Sequence, residues 1–247
     1  MPLKKTAVTK TINLRKIIGG LCMIFLLSVL STKAQSKSSR PNILIILTDD
    51  QGYHDASYYG TEDIRTPNTD ELVKEGMRFD NFYANCSVSS PTRAALLTGR
   101  YQDYVGVPGV IRTHPENSWG YLDPDATLLS SVLKHNGYHT SIIGKWHLGL
   151  ESPNLPNDRG FDHFHGWLGD MMDDYYYHNG TLEKYEGYAT DLWFQLGEAF
   201  VKNSKKEGKP FFLYLPLNAP HIPLLVPEEN RTPYLETGLD RESITFF

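Results

Sequence analysis

Residues 42–50 read NILIILTDD, an unbroken apolar run that ends in a threonine and two aspartates. Its β-branched residues predict a strand that is buried on both faces of a central parallel sheet. Active groups in such sheets gather at the carboxyl ends of the strands, which brings Asp49 and Asp50 to the candidate site. Two adjacent carboxylates are costly to keep ionised without a cation, so the pair favours a hard divalent metal; a helix cap or a turn is the alternative.

Further strands and helices alternate along the chain after this run. Strands are predicted over 77–83, 138–143 and 210–217, and helices over 66–74, 91–97, 126–135 and 189–201. Such alternation predicts an α/β fold with a mostly parallel sheet. Residues 151–187 are rich in Gly, Asp, Tyr and His, and we expect them to form loops that border the site.

A second polar cluster, SSPTRAALLTGR, occupies residues 89–100. Its first serine is a small nucleophile placed ahead of a predicted helix, where free backbone N–H groups favour an anion. Arg93 is spaced to lie beside that serine and to bind an oxyanion through a forked pair of hydrogen bonds. The residues alone fit equally well a Ser-Pro helix cap followed by surface arginines.

This cluster resembles the signature of the formylglycine-dependent sulfatases, which belong to the alkaline-phosphatase-like superfamily. That signature is Cys or Ser, any residue, Pro, any residue, Arg, and then an alanine-rich stretch ending in Thr-Gly-Arg; Ser89, Pro91 and Arg93 are in register with it. The Asp49-Asp50 pair also fits, as do GKWHLG at 144–149, RGFD at 159–162 and NAPHIP at 218–223. The resemblance covers about residues 41–227 and implies the N-terminal part of an alkaline-phosphatase-like fold, with helices flanking a mostly parallel sheet.

The resemblance implies an arylsulfatase-like sulfuric ester hydrolase that acts on a sulfated glycan or small molecule. A formylglycine-generating maturation enzyme would oxidise Ser89, and the hydrated aldehyde would attack sulfur through one hydroxyl and expel sulfate through the other. Calcium, with magnesium as the alternative, would be held by Asp49, Asp50 and Ser89.

The resemblance also implies roles for four basic residues. Arg93 would lie beside the nucleophile, and Lys145 would bind a sulfate oxygen. His147 would orient the diol, and His221 would bind sulfate or serve the leaving group. Lys145 and His147 are two apart in an extended segment, so their side chains point the same way. The alternative is a solvated lysine beside a packed histidine.

Several other residues have weaker signals. Cys86 is out of register as a formylglycine precursor, because Val88 and Ser90 stand where the motif needs Pro and Arg; we expect a small buried residue. His165 and His178 are candidates for substrate contact. The segment DMMDDYYY at 170–177 fits either stacking on sugar rings or an exposed polar loop.

The first 34 residues predict an export signal. Six basic residues and no acidic ones accompany an apolar run of 14 at 17–30, and small residues follow at 32–34. A membrane span needs ~20 apolar residues, so we expect a signal peptide that is cleaved and an exported, periplasmic or secreted product without stable membrane insertion; an uncleaved anchor is the alternative. The remaining 18 basic and 29 acidic residues give a net charge of −11, which argues against nucleic-acid binding.

The C-terminal residues depart from the family pattern. Family members continue past the His-x-Pro segment to an Asp followed by Asn or His, which completes the metal site, and residues 228–247 contain no such pair. We therefore expect residues 35–247 to be an incomplete catalytic domain, from a truncated or split product, with an under-ligated metal and an open sheet edge. Two other functions stay open: a phosphatase or phosphonate monoester hydrolase of the same superfamily, and an inactive remnant or binding module for sulfated glycans.

Overall fold

The computed structural model describes residues 40–112, 114, 116, 118–170 and 173–235. The predicted signal peptide at 1–34 lies outside these ranges, and so do residues 236–247. Within them, none of the helices combines the length and the apolar character that a membrane crossing would require.

Six strands form one sheet. They are β1 (Ile43–Leu47), β2 (His139–Lys145), β3 (His163–Trp167), β4 (Tyr175–His178), β5 (Thr181–Lys184) and β6 (Phe211–Pro216). Their order across the sheet is β1-β6-β2-β3-β4-β5. The first four strands in this order are parallel, and β4 and β5 are added antiparallel. The prediction of an α/β fold with a mostly parallel sheet is confirmed.

Among the residues that the structure describes, five α-helices connect or flank the strands. They are α1 (Pro67–Glu75), α2 (Ser89–Thr98), α3 (Leu129–His135), α4 (Ala189–Glu207) and α5 (Glu228–Arg231). The predicted helix at 66–74 is confirmed by α1, which begins at Pro67 and is followed by Gly76. The predicted helix at 91–97 is confirmed by α2, which begins two residues earlier and is followed by Gly99; that glycine is left-handed at φ 66° and donates its N–H to the carbonyl of Ala95.

Apolar side chains pack on both faces of the sheet. The central strand β6 is buried at all six positions. Because side chains alternate along a strand, Phe212 and Tyr214 enter one core while Leu213 and Leu215 enter the other, beneath α4. The sheet is thus held between two apolar layers, and its carboxyl edge is left for polar groups.

The predicted position of β1 is wrong. The strand forms as expected, but among the described residues it pairs only with β6 and lies at an edge of the sheet. Leu44 and Ile46 are 51% and 44% exposed, while Ile43 and Ile45 pack on the core. An apolar run predicts that a strand is buried, but it does not predict which strands lie beside it. In the described part of the sheet, β6 is a central strand and β1 is not.

One strand prediction fails. Residues 77–83 form no strand, and Met77, Phe79 and Phe82 are each at least two-thirds exposed, because the alternating pattern finds no strand to pair with. The loop-rich segment 151–187 also contains β3, β4 and β5, which were not predicted. The hairpin between β4 and β5 turns at Asn179-Gly180, both with positive φ, which is the favoured geometry of a two-residue turn.

Candidate functional site

Polar side chains converge at the carboxyl edge of the sheet. Asp49 follows β1, Lys145 ends β2, Asp170 follows β3, and His221 lies in the segment after β6. Parallel strands end at a common edge, so residues far apart in sequence meet there.

The buried carboxylate of Asp49 lies at the centre of this group. Ser89 Oγ donates a hydrogen bond to Oδ1 over 2.7 Å, Lys145 Nζ donates to Oδ2 over 2.6 Å, and Arg93 Nη2 lies 3.1 Å from Oδ1. The side chains of these two cations are at most 1% exposed. Burial acts to raise the pKa of Asp49, but the charges of Arg93 and Lys145 outweigh it and hold that pKa below its usual value. Asp49 is therefore ionised at neutral pH.

Helix α2 brings Ser89 and Arg93 to the same side, because residues four apart share one helix face. Arg93 Nη1 also donates to the carbonyl of Lys145 over 2.8 Å, which joins α2 to β2. Ser89 Oγ lies 3.2 Å from Lys145 Nζ. The neighbouring Ser90 is fully buried, and its Oγ accepts the N–H of Ile111, so only the first of the two serines faces the cluster.

His147 is buried beside Lys145 and has a defined tautomer. Its Nε2 lies 2.9 Å from the carbonyl oxygen of Ile111, which can only accept, so Nε2 carries the proton. Burial, which is the larger cause, and the nearby charge of Lys145 lower the pKa of His147 to about 4. The ring is therefore neutral at pH 7, and its Nδ1 lone pair faces the Asp170 carboxylate, 3.7 Å from Oδ1.

His221 approaches the same point from the opposite side. Its Nδ1 lies 2.6 Å from the carbonyl oxygen of Ile222 and so donates to it, which leaves Nε2 facing the site. Nε2 is 3.4 Å from Asp170 Oδ1 and 3.7 Å from Asp50 Oδ2. Asp50 itself is half-exposed, with a positive φ of 62°, and is the outermost of the predicted residues.

Asp170 is the member of the site that the sequence interpretation missed. Its Oδ1 forms a short contact with Lys145 Nζ, in addition to the two histidine contacts. Burial acts to raise the pKa of Asp170, but its hydrogen bond and charge interaction with Lys145 lower it overall. The available signal was its place just after β3, and that strand was itself not predicted.

Three minor predictions have mixed outcomes. His165 and His178 stack with ring centroids 4.2 Å apart, and His178 bonds to Glu183, so they pack on each other beside β3 and β4. Cys86 is partly and not fully buried. In the segment at 170–177, Tyr175 and Tyr177 line a cavity of about 680 Å³ that also reaches His147.

The side-chain atoms at the carboxyl edge of the sheet are of the types that bind a divalent cation. Among the described residues, Asp49, Asp170 and His221 each offer a ligand atom, and these atoms lie within 4.8 Å of one another. Asp50 and Ser89 add oxygen atoms next to them. Carboxylate and hydroxyl oxygens are the ligands that hard divalent ions prefer.

Known proteins are similar to this chain in sequence and in fold. The family model described as Sulfatase matches residues 41–239. Arylsulfatase G of Mus musculus is 33% identical over 235 residues, covering 79% of this chain and 44% of that protein. The crystal structure of Ps i-CgsB in complex with k-i-k-neocarrahexaose has 34% identity and a TM-score of 0.78, covering 84% of this chain and 51% of that one.

A further solved structure is that of a protein in complex with its substrate D-glucosamine-2-N,6-O-disulfate. It has 32% identity and a TM-score of 0.68, and the match covers 81% of this chain and 39% of that one. The chain thus spans about half, or less, of the length of these relatives.

Proposed function

Because the chain belongs to the sulfatase family, we propose that it hydrolyses sulfuric esters through a formylglycine made from Ser89 by a maturation enzyme. The observation that carries this proposal is the position of Ser89 Oγ, 2.7 Å from Asp49 Oδ1 and 3.2 Å from Lys145 Nζ. A hydroxyl held between an ionised carboxylate and an ammonium group is placed to lose a proton while an anion binds beside it.

Each side chain of the site has its own role in the proposed reaction. Formylglycine hydrate supplies a hydroxyl that attacks sulfur and a second hydroxyl whose deprotonation releases sulfate. The ionised Asp49 accepts the hydrogen bond of the group at position 89 and orients it. Lys145 and Arg93 offset the negative charge of the sulfate oxygens, since both are buried basic side chains at the site.

The two histidines face the site with opposite ring nitrogens. Neutral His147 presents its Nδ1 lone pair, which suits it to accept a proton from the hydroxyl groups at position 89. His221 presents Nε2 at the more open side of the site, where a proton on that atom would pass to the departing alcohol.

Calcium, with magnesium as the alternative, completes the proposal. Asp49, Asp50 and the group at position 89 would hold it through oxygen atoms, and it would stabilise the charge on the sulfate oxygens. Residues 35–247 then act as the N-terminal part of a catalytic domain, exported by the signal at 1–34.

A sulfated glycan is the proposed substrate. Its support is the cavity of about 680 Å³ beside His147, which Trp167, Tyr175 and Tyr177 line with aromatic rings suited to sugar faces. The solved relatives crystallised with k-i-k-neocarrahexaose and with D-glucosamine-2-N,6-O-disulfate are consistent with this choice.

Mass spectrometry of the peptide that contains Ser89 tests the proposal. After co-production with a maturation enzyme, the peptide should have lost two hydrogens, and the protein should hydrolyse 4-nitrophenyl sulfate faster than 4-nitrophenyl phosphate. Ser89→Ala should abolish the activity, and Ser87→Ala, at an exposed site two residues earlier, should preserve it. An unaltered serine without sulfatase activity would refute the proposal, and faster phosphate hydrolysis would favour a phosphatase.

A further inference from the structure

One carboxylate oxygen occupies the point where the basic groups of the site meet. Oδ1 of Asp170 touches Lys145 Nζ and lies 3.4 Å from His221 Nε2 and 3.7 Å from His147 Nδ1. Lys145 is the side chain assigned above to the sulfate, and His221 is the one assigned to its leaving group. A sulfate oxygen bound between these two side chains would have to take the place of this oxygen atom.

The charges of the site prevent Asp170 and a sulfate ester from occupying this position together. Lys145 already faces two carboxylates, Asp49 through Oδ2 and Asp170 through Oδ1. A sulfate ester brought next to Asp170 would meet a like charge within a few ångströms, and such contacts are strongly unfavourable where the dielectric is low.

Of the two carboxylates that contact Lys145, Asp170 is the freer to leave. Its side chain is 37% exposed, against 5% for Asp49. Lys145 is its hydrogen-bond donor, while the two histidine nitrogens lie 3.4 and 3.7 Å away. Exchanging the bond to Lys145 for a bond to water would free the position beside Lys145.

We propose that Asp170 is an internal competitor of sulfate: its carboxylate fills the anion position beside Lys145 and His221 and must move out before a sulfate ester binds. This inference rests on the proposed function for its choice of anion. Competition by Asp170 weakens the binding of free sulfate, the product of the reaction, because the returning carboxylate displaces the sulfate. It also keeps the buried Lys145 paired between turnovers.

Binding of sodium sulfate to the full chain, measured by titration calorimetry in the presence of calcium at pH 7 and constant ionic strength, tests the proposal. Asp170→Asn should bind sulfate at least about tenfold more tightly than the wild type, because a like charge is removed at contact distance. Asp191→Asn removes an equal charge from an exposed position on α4 and should change the dissociation constant by less than about twofold.

The alternative outcomes are distinct. Equal or weaker sulfate binding by Asp170→Asn, or no binding by either protein, would overturn the proposal. Asp170→Ser, which is shorter and also uncharged, should act in the same direction; unfolding of both variants, seen by circular dichroism, would assign Asp170 to folding and overturn it as well.

The assay also separates this proposal from the proposed function, because sulfate binding requires neither formylglycine nor turnover. Tighter binding by Asp170→Asn without any ester hydrolysis by the matured wild type would refute the function alone. Normal hydrolysis with unchanged sulfate binding would refute the role of Asp170 alone.

Discussion

Replacing Lys145 by Met should destabilise the protein more than an ordinary surface change, because it leaves the Asp49 carboxylate buried with one cation fewer. The two side chains are 0% and 5% exposed, and Nζ lies 2.6 Å from Oδ2. Removing one member of a buried ion pair costs about 3–5 kcal/mol. Arg93 remains 3.1 Å from the other oxygen and retains part of the interaction, so we expect a loss of about 3 kcal/mol in the free energy of unfolding.

Urea unfolding at pH 7, followed by tryptophan fluorescence, measures this loss. Lys134→Met is the matched control, since Lys134 pairs with Asp162 over 2.8 Å at the surface with a 47% exposed side chain, and its loss should cost less than about 1 kcal/mol. The double variant Lys145→Met/Asp49→Asn should lose at least about 1 kcal/mol less than the two single losses combined. Additive losses would show that the pair is not coupled and would refute this account of the site.

Two further predictions concern the sheet. Gly144 has φ +123°, and a Cβ there would lie 2.0 Å from the carbonyl oxygen of Pro216. Gly144→Ala should therefore lower the free energy of unfolding by about 3 kcal/mol or more, as measured by thermal unfolding. Gly208→Ala is the control, since Gly208 has φ +64° and open space around it, and should lower it by about 1 kcal/mol. Burial first, and then the neighbouring His178, lower the pKa of His165 to about 4, so the unfolded chain takes up that proton first and stability falls between pH 6.5 and pH 4. His165→Gln should remove on the order of 1 kcal/mol of this pH dependence in urea titrations, and an unchanged pH profile would show that the ring is not buried in its neutral form.

Local signals in the sequence predicted much of the architecture. The ends of α1 and α2 follow from Pro67, Gly76 and Gly99, whose backbone preferences act without help from the rest of the chain. The clustering of Asp49 with Lys145 could also be foreseen, because residues that follow parallel strands meet at one edge of the sheet.

Features that depend on nonlocal pairing could not be foreseen in the same way. The apolar character of β1 predicts a strand, but its place in the sheet depends on its pairing with β6, in which Ile43 lies opposite Phe212, 169 residues later. Asp170 was missed for a related reason. Its position depends on β3, which pairs with the antiparallel hairpin formed by β4 and β5. The Asn179-Gly180 turn of that hairpin is a sequence signal for two strands, but the loop-like composition around it favoured a prediction of loops.

The backbone ladder between β1 and β6 does not stop where the strands end. It continues as Leu217 donates to the carbonyl of Leu47 over 2.8 Å and Asp49 donates to that of Ala219 over 3.1 Å. Asp49 and the segment that carries His221, two residues beyond Ala219, are therefore joined by backbone hydrogen bonds. Main-chain bonds do not depend on side-chain identity, so substitutions in the surrounding core can accumulate while these two segments stay paired.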